Sequence, residues 1–265
     1  MPKTQFFNTH SERKYGTILD VPLNSTSVVK VLAFVRDSLA RKRKFYIVTP
    51  NPEIVLLAQK DALLKRALSL ADIAIPDGVG LSYASSFLGL GKLSPIRGRE
   101  LFMELVKLAN KKGWKIFLMG GEEGIAERVS QNLSRSFKSV NIGFSQGARY
   151  NSEGEPVNEV EKGLERETLE KINQFKPQLL FVGLGAPKQE KWVLKNLKNL
   201  DIGGAMVVGG TLDYIAGKAS LPPKWAEKRF EWLYRLYKEP RRVMRIFRAV
   251  IVFPLRVLAE RLKSR

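Results

Sequence analysis

The chain has no cysteine and a single histidine, His10. The first absence excludes disulfides, thiol nucleophiles and thiolate metal sites, and the second leaves no imidazole outside a polar N-terminal stretch. Catalysis therefore falls to carboxylates, Lys, Arg, Tyr and amides. Long apolar runs are also missing. Nothing approaches the roughly 18 uncharged residues of a membrane span, and Met1-Pro2-Lys3-Thr4-Gln5 lacks the apolar core of a secretion signal. A cytoplasmic protein is expected. Negative charge is scarce too: 45 Lys and Arg face 26 Asp and Glu, a formal net charge of +19. Residues 222–265 alone hold 13 Lys/Arg against 4 Asp/Glu. Such a basic surface suits nucleic acid, an anionic membrane leaflet or a polyphosphate substrate, and charge by itself does not choose.

The 265 residues, 44% of them apolar, are enough for a sizeable core. Residues 15–21 read as a strand and residues 25–40 as a helix with Val28, Val31, Leu32, Val35 and Leu39 on one face. Phe45-Tyr46-Ile47-Val48 is a β-rich run that empties into Thr49-Pro50-Asn51-Pro52, followed by one helix carrying Ile54, Leu57, Leu64 and Leu68. Ile73-Ala74-Ile75 suits a strand buried on both faces and stops at Pro76-Asp77-Gly78. Further on, strands at 114–119, 140–144, 179–182 and 205–208 alternate with helices at 99–112, 125–137 and 159–175. This alternation predicts an α/β fold: a Rossmann-like, mostly parallel sheet with helices on both faces. Residues 1–221 form the expected core and residues 222–265 a basic helical appendage.

In such sheets ligands bind beyond the carboxyl ends of the strands, so the loops there carry the candidate chemistry. Asp77 is delivered to that edge by a tight turn and suits a general base; the competing reading is an N-cap for the next helix. Asn51 before Pro52 has the form of an N-cap, while the Thr49 hydroxyl can bond a phosphate or a sugar. Gly120-Gly121-Glu122-Glu123-Gly124 can cradle a phosphate on backbone amides, although glycines after a strand are common. Gly183-Leu184-Gly185-Ala186-Pro187-Lys188-Gln189 permits close backbone approach and offers donors at a helix N-terminus. It lacks the third glycine of the dinucleotide fingerprint, where Lys188 stands, which weakens an oxidoreductase reading. Gly209-Gly210-Thr211-Leu212-Asp213 brings a carboxylate able to accept from a ribose or base.

Taken in order, Thr49-Pro50-Asn51-Pro52, Pro76-Asp77-Gly78, the segment from Gly183 to Trp192, Gly209-Gly210-Thr211-Leu212-Asp213 and Glu231-Trp232-Leu233-Tyr234-Arg235-Leu236 resemble the WecG/TagA/CpsF glycosyltransferases, family 26. The resemblance implies an inverting enzyme, peripheral on the inner face of the cell membrane. It would move a sugar, N-acetylmannosamine first among the choices, from a UDP-sugar to undecaprenyl-diphosphate-linked N-acetylglucosamine for teichoic acid or surface polysaccharide. Transfer of N-acetylmannosaminuronic acid or a hexose is the alternative. By the same resemblance Asp77 is the catalytic base, and Arg235, Arg242 and Arg245 close over the diphosphate. Thr49, Asn51, Arg97 and Gln189 line the pocket, with Gly183, Gly185, Gly209 and Gly210 giving backbone access, and Asp213 contacts the nucleoside. Ser220-Leu221-Pro222-Pro223 departs from the Arg-Ala-Pro expected at that turn, which removes one arginine contact.

The sequence has no Asp-x-Asp to hold a metal, so arginines are the expected partners of the departing UDP, with no metal and no cofactor. The expected partners are the UDP-sugar, the lipid-linked acceptor, an anionic membrane surface and a second copy of the chain, and not nucleic acid. Val243, Ile246, Phe247, Val250, Pro254, Val257 and Leu258 recur at helical spacing beside Arg241, Arg242, Arg245 and Arg248. This pattern suits a helix lying on a membrane or one packed on the core. Two other classes of function remain open at this point: a basic nucleic-acid-binding α/β protein and a nicotinamide oxidoreductase.

Overall fold

The computed structural model describes residues 14–219 and 243–263. The 221/222 boundary drawn from charge, and the motif at 231–236, lie outside them. A hairpin comes first: β1 (Lys14–Ile18) and β2 (Val21–Asn24) pair antiparallel. The single strand expected at 15–21 is thus folded back on itself, because Leu19 and Asp20 both take positive φ, at 49° and 57°. Two successive positive φ values match the right-handed twist of a hairpin, but a leucine there gives no warning in sequence.

The α/β part runs α1 (Val28–Ala40), β3 (Phe45–Val48), α2 (Pro52–Ala58), α3 (Ala62–Ser69), β4 (Ile73–Ala74), α4 (Val79–Phe87), α5 (Gly98–Lys112), β5 (Lys115–Gly120), α6 (Ile125–Ser136), β6 (Asn141–Ser145), α7 (Glu159–Phe175), β7 (Leu179–Gly183), α8 (Lys188–Asn196), β8 (Gly204–Val207) and α9 (Thr211–Ile215). The one helix expected across residues 54–68 is two. Asp61 accepts from the Leu64 N–H at 2.9 Å and starts a new helix, although the apolar spacing continues across the break. The expected stop of α5 is observed, with Gly113 in the left-handed region.

Among the described residues the sheet has six strands in the order β4-β3-β8-β7-β5-β6, each parallel to its neighbours. Strand alternation builds two cores. Tyr46, Val48, Leu180, Val182 and Val207 pack on one face with Ile54, Leu64 and Trp192. Phe45, Ile47, Phe181 and Met206 pack on the other with Val31, Phe102 and Val129. Helices therefore cover both faces, as the near-continuous apolar strands require. The hairpin guards the β4 edge: the buried Asn24 side chain accepts from Ala74 N at 2.7 Å.

The tail is α10 (Val243–Phe247), a π-helical turn (Arg248–Val252) and α11 (Phe253–Lys263). Phe253 and Val257 are buried in the first core, and the Glu260 carboxylate accepts from Leu19 N at 3.1 and 3.2 Å. The opposite side keeps Phe247, Ile251, Leu255, Leu258 and Leu262 exposed. The packed reading holds for the face that carries Phe253 and Val257, and the other face is turned to solvent. Among the described residues no helix is long and apolar enough to cross a membrane.

Candidate active site

All six strands of the sheet point the same way, so their carboxyl ends share one edge. The chain leaves β3 toward β4, whereas β8 leads into α9, which packs on α5 and α6 on the other side. Neighbouring strands whose connections diverge are where open α/β sheets hold their ligands, and β3 and β8 are such a pair. At the divergence of β5 and β7 the backbones meet. There Gly121 N donates to Gly183 O at 3.1 Å, and a Cβ on Gly120 would lie 2.6 Å from the same oxygen. The Gly120-Gly121 turn, a candidate phosphate cradle in sequence, is taken up by this backbone contact.

One group of candidates gathers beside β3. Asp77 N donates to Pro50 O at 2.8 Å, which fixes the Asp77 turn against the Thr49–Pro52 loop. Ile96 N donates to Pro76 O at 3.1 Å and carries the approach to α5 to the same place. A Cβ on Gly98 would meet Thr49 Oγ1 at 3.3 Å, so the α5 N-terminus lies directly against that hydroxyl. Thr49, Asn51, Asp77 and Arg97 are thus brought together, all of them half-buried. The N-cap of α4 is Gly78, at φ 88°, and no side chain caps the helix, so the capping explanation of Asp77 does not hold. Asn51 does cap α2, its Oδ1 accepting from Ile54 N at 3.0 Å. Arg97 sits at the α5 N-cap position and pairs with Glu100 at 2.9 Å.

A second group lies across the β3/β8 seam. A Cβ on Gly183 would meet Gly209 O at 3.1 Å, so the two glycine loops pack backbone to backbone. Gln189 Oε1 accepts from Gly209 N at 3.1 Å, and its Nε2 donates to Glu190 Oε1 at 2.9 Å. Both ends of the Gln189 amide are engaged within the protein, and the residue is buried. Gly185 takes φ 77° and its carbonyl accepts from Gln189 N. Asp213 stands half-buried in the first turn of α9, next to Gly210.

The third group is only partly in view. Arg235 and Arg242 lie outside the described residues. Arg245 pairs with Glu53 at 2.6 Å, in the first turn of α2 and immediately after the Thr49–Pro52 loop, so this arginine reaches the rim of the first group.

Sequence reasoning missed the buried polar start of α8. Glu190 and Lys191 are 1% and 0% exposed. Lys191 Nζ bonds Asp61 at 2.6 Å and Glu153 at 3.0 Å, tying α8 to the α3 cap and to the 151–156 turn. Burial pulls its pKa down, but the two carboxylates outweigh burial and the net direction is up. Burial pushes the Glu190 carboxyl up to about 7, against the smaller opposing effect of the Gln189 hydrogen bond. The Tyr46 phenol rises well above its ordinary value, first from burial and then from the Glu190 charge. Five consecutive helical residues, Gln189 to Val193, are buried. No helical period marks such a run, so only long-range partners reveal it.

With this geometry established, comparison with known proteins gives a consistent result. The sequence model of the glycosyl transferase WecG/TagA/CpsF family matches residues 16–265. The chain is 29% identical over 250 residues to the N-acetylglucosaminyldiphosphoundecaprenol N-acetyl-beta-D-mannosaminyltransferases of Staphylococcus aureus strains MW2 and NCTC 8325 / PS 47, covering 93% of this chain and 93% of each relative.

Proposed function

The chain belongs to the WecG/TagA/CpsF glycosyltransferase family, and from that premise we propose that it moves N-acetylmannosamine from a UDP-sugar to undecaprenyl-diphosphate-linked N-acetylglucosamine. Family membership decides among the three classes of function in favour of glycosyl transfer. The observation that carries the finer reading is the convergence of Thr49, Asn51, Asp77 and Arg97 at the carboxyl edge of β3, with Asp77 held there by a backbone bond to Pro50. The relatives named for this acceptor and sugar support the choice of substrates.

In the proposed step the acceptor hydroxyl oxygen attacks C1 of the donor sugar from the face opposite UDP. Asp77 takes the hydroxyl proton as the new C–O bond forms. The bond from C1 to the diphosphate breaks, its electron pair leaves with UDP, and the configuration at C1 inverts. Arg245, joined by Arg235 and Arg242, neutralises the departing diphosphate, a task suited to bidentate guanidinium contacts and needing no metal. Asp213 and the two glycine loops hold the nucleoside side of the donor.

The acceptor's lipid calls for a membrane surface. Exposed Phe87 of α4 adjoins Leu258 and Leu262 of the tail's exposed apolar face, with Arg261 stacked 4.4 Å over the Phe87 ring. We read this as a peripheral contact with the inner leaflet, basic residues adding roughly 1 kcal/mol each near anionic lipid. Leu258→Glu with Leu262→Glu should lower sedimentation with anionic vesicles; undiminished binding would remove the contact.

The function is tested by supplying UDP-N-acetylmannosamine, UDP-N-acetylmannosaminuronic acid and UDP-hexoses with a polyprenyl-diphosphate N-acetylglucosamine acceptor. Chelator is present in half of the reactions. Transfer of N-acetylmannosamine, insensitive to chelator, is expected. Preference for another donor would replace the sugar, and loss of transfer with chelator would replace the arginine mechanism.

A further inference from the structure

The buried pair at the start of α8 has a function beyond packing. Gly209 N is an obligate donor, so the Gln189 amide must turn its oxygen toward it, and its NH2 then faces Glu190. A glutamine amide held at one end alone can turn over, presenting NH2 to Gly209 N–H and losing the bond. Glu190 excludes that state when ionised, since a carboxylate accepts and cannot donate, and with its pKa raised to about 7 it is ionised above neutral pH. Glu190 is a costly choice for the position. It is 1% exposed, its second oxygen has no hydrogen-bond partner among the described residues, and the equally buried Tyr46 hydroxyl near its charge has none either. An apolar side chain would avoid that cost, so packing alone does not account for an acid here.

We propose that Glu190 is a positioning residue of the donor site: it locks the Gln189 amide in the one orientation that holds Gly209 N–H, and so fixes the loop that carries Asp213. The relay runs from Glu190 Oε1 through Gln189 to Gly209 over bonds of 2.9 and 3.1 Å. It ends four residues before Asp213, on backbone already packed against Gly183. The inference rests on the donor-side reading of Gly183 to Asp213 given above. Glu190 touches no reacting atom. Its effect appears as donor affinity, because a wandering Gly209 loop lowers the fraction of protein ready to bind.

The test is titration calorimetry of the full chain with UDP, together with donor kinetics, both at about pH 8.5 so that Glu190 is ionised. Glu190→Met should weaken UDP binding and raise donor KM about tenfold, with kcat at saturating donor changed by no more than about threefold. The thermal midpoint should be unchanged or higher. Glu190→Gln keeps the volume and an acceptor oxygen but can also donate, so its loss should be intermediate. Gln189→Met should match Glu190→Met, and the double variant should be no worse than either single one. Wild-type UDP affinity in Glu190→Met, or additive losses in the double variant, would overturn the relay alone. Absence of UDP binding by the wild-type protein would overturn the donor-side reading and the relay with it.

Discussion

The turn from β4 into α4 and the turn from β7 into α8 leave the same edge of one sheet, and both use a glycine at positive φ, Gly78 and Gly185. They then diverge. At the first, no side chain caps the helix, and Asp77 stands half-exposed with its backbone fixed to Pro50. At the second, Gln189, Glu190 and Lys191 are all buried, and each bonds a group elsewhere in the protein or in the same turn. The contrast separates two uses of polar residues at a sheet edge. Polar groups turned inward set the geometry of loops, while Asp77, held by its backbone at the carboxyl edge of the sheet, is the candidate for chemistry.

The largest effect that can sharpen this contrast is on turnover. Asp77→Asn should lower kcat by about 10²–10⁴-fold, the usual contribution of a general base, while leaving the unfolding transition and UDP binding in place. Near wild-type turnover would erase the distinction between the two turns. Lys191→Ala tests the other side. It leaves Asp61 and Glu153 without their buried cation and should cost about 3 kcal/mol in denaturant unfolding, the lower end of the range for a broken buried pair because Glu153 is 59% exposed. A loss under about 1 kcal/mol would show that the buried start of α8 is not a structural clamp.

A smaller, pH-dependent effect belongs to Glu190. Its native pKa is raised from 4.5 to about 7, so the native state binds more protons than the unfolded chain between these values. The favourable contribution is complete below about pH 4.5 and is lost as pH rises through 7. Glu190→Gln removes that dependence, so its stability relative to wild type should grow by up to about 3 kcal/mol between pH 5 and pH 8 in urea unfolding. A constant difference over that range would place Glu190 in a more solvated setting and weaken the contrast.

The strands were legible in sequence because buried parallel strands are short, nearly continuous apolar runs, and Phe45–Val48 and Leu179–Gly183 are of this kind. Asp77, Thr49 and Asn51 were legible for a related reason: each sits where such a run stops at a proline or glycine. The α2/α3 break was hidden because a cap at Asp61 interrupts the backbone while the apolar face continues. The hairpin was hidden by Leu19 in a conformation that leucine seldom adopts. The polar start of α8 was invisible because Lys, Gln and Glu normally mark a solvated face, and their burial here depends on Gly209, Asp61 and Glu153, partners 20 or more residues away.

The grip of Glu260 on Leu19 joins positions 241 residues apart. The hairpin and the whole sheet are synthesised before α11, so the surface that will receive the tail is made first and stays bare until the tail follows. Phe253 and Val257 then settle into that surface, bringing Arg245 to Glu53 as the last large piece to arrive. An unfinished chain thus has its sheet and its Asp77 turn before it has the arginine, and the order of translation becomes the order in which the parts of the proposed site are made.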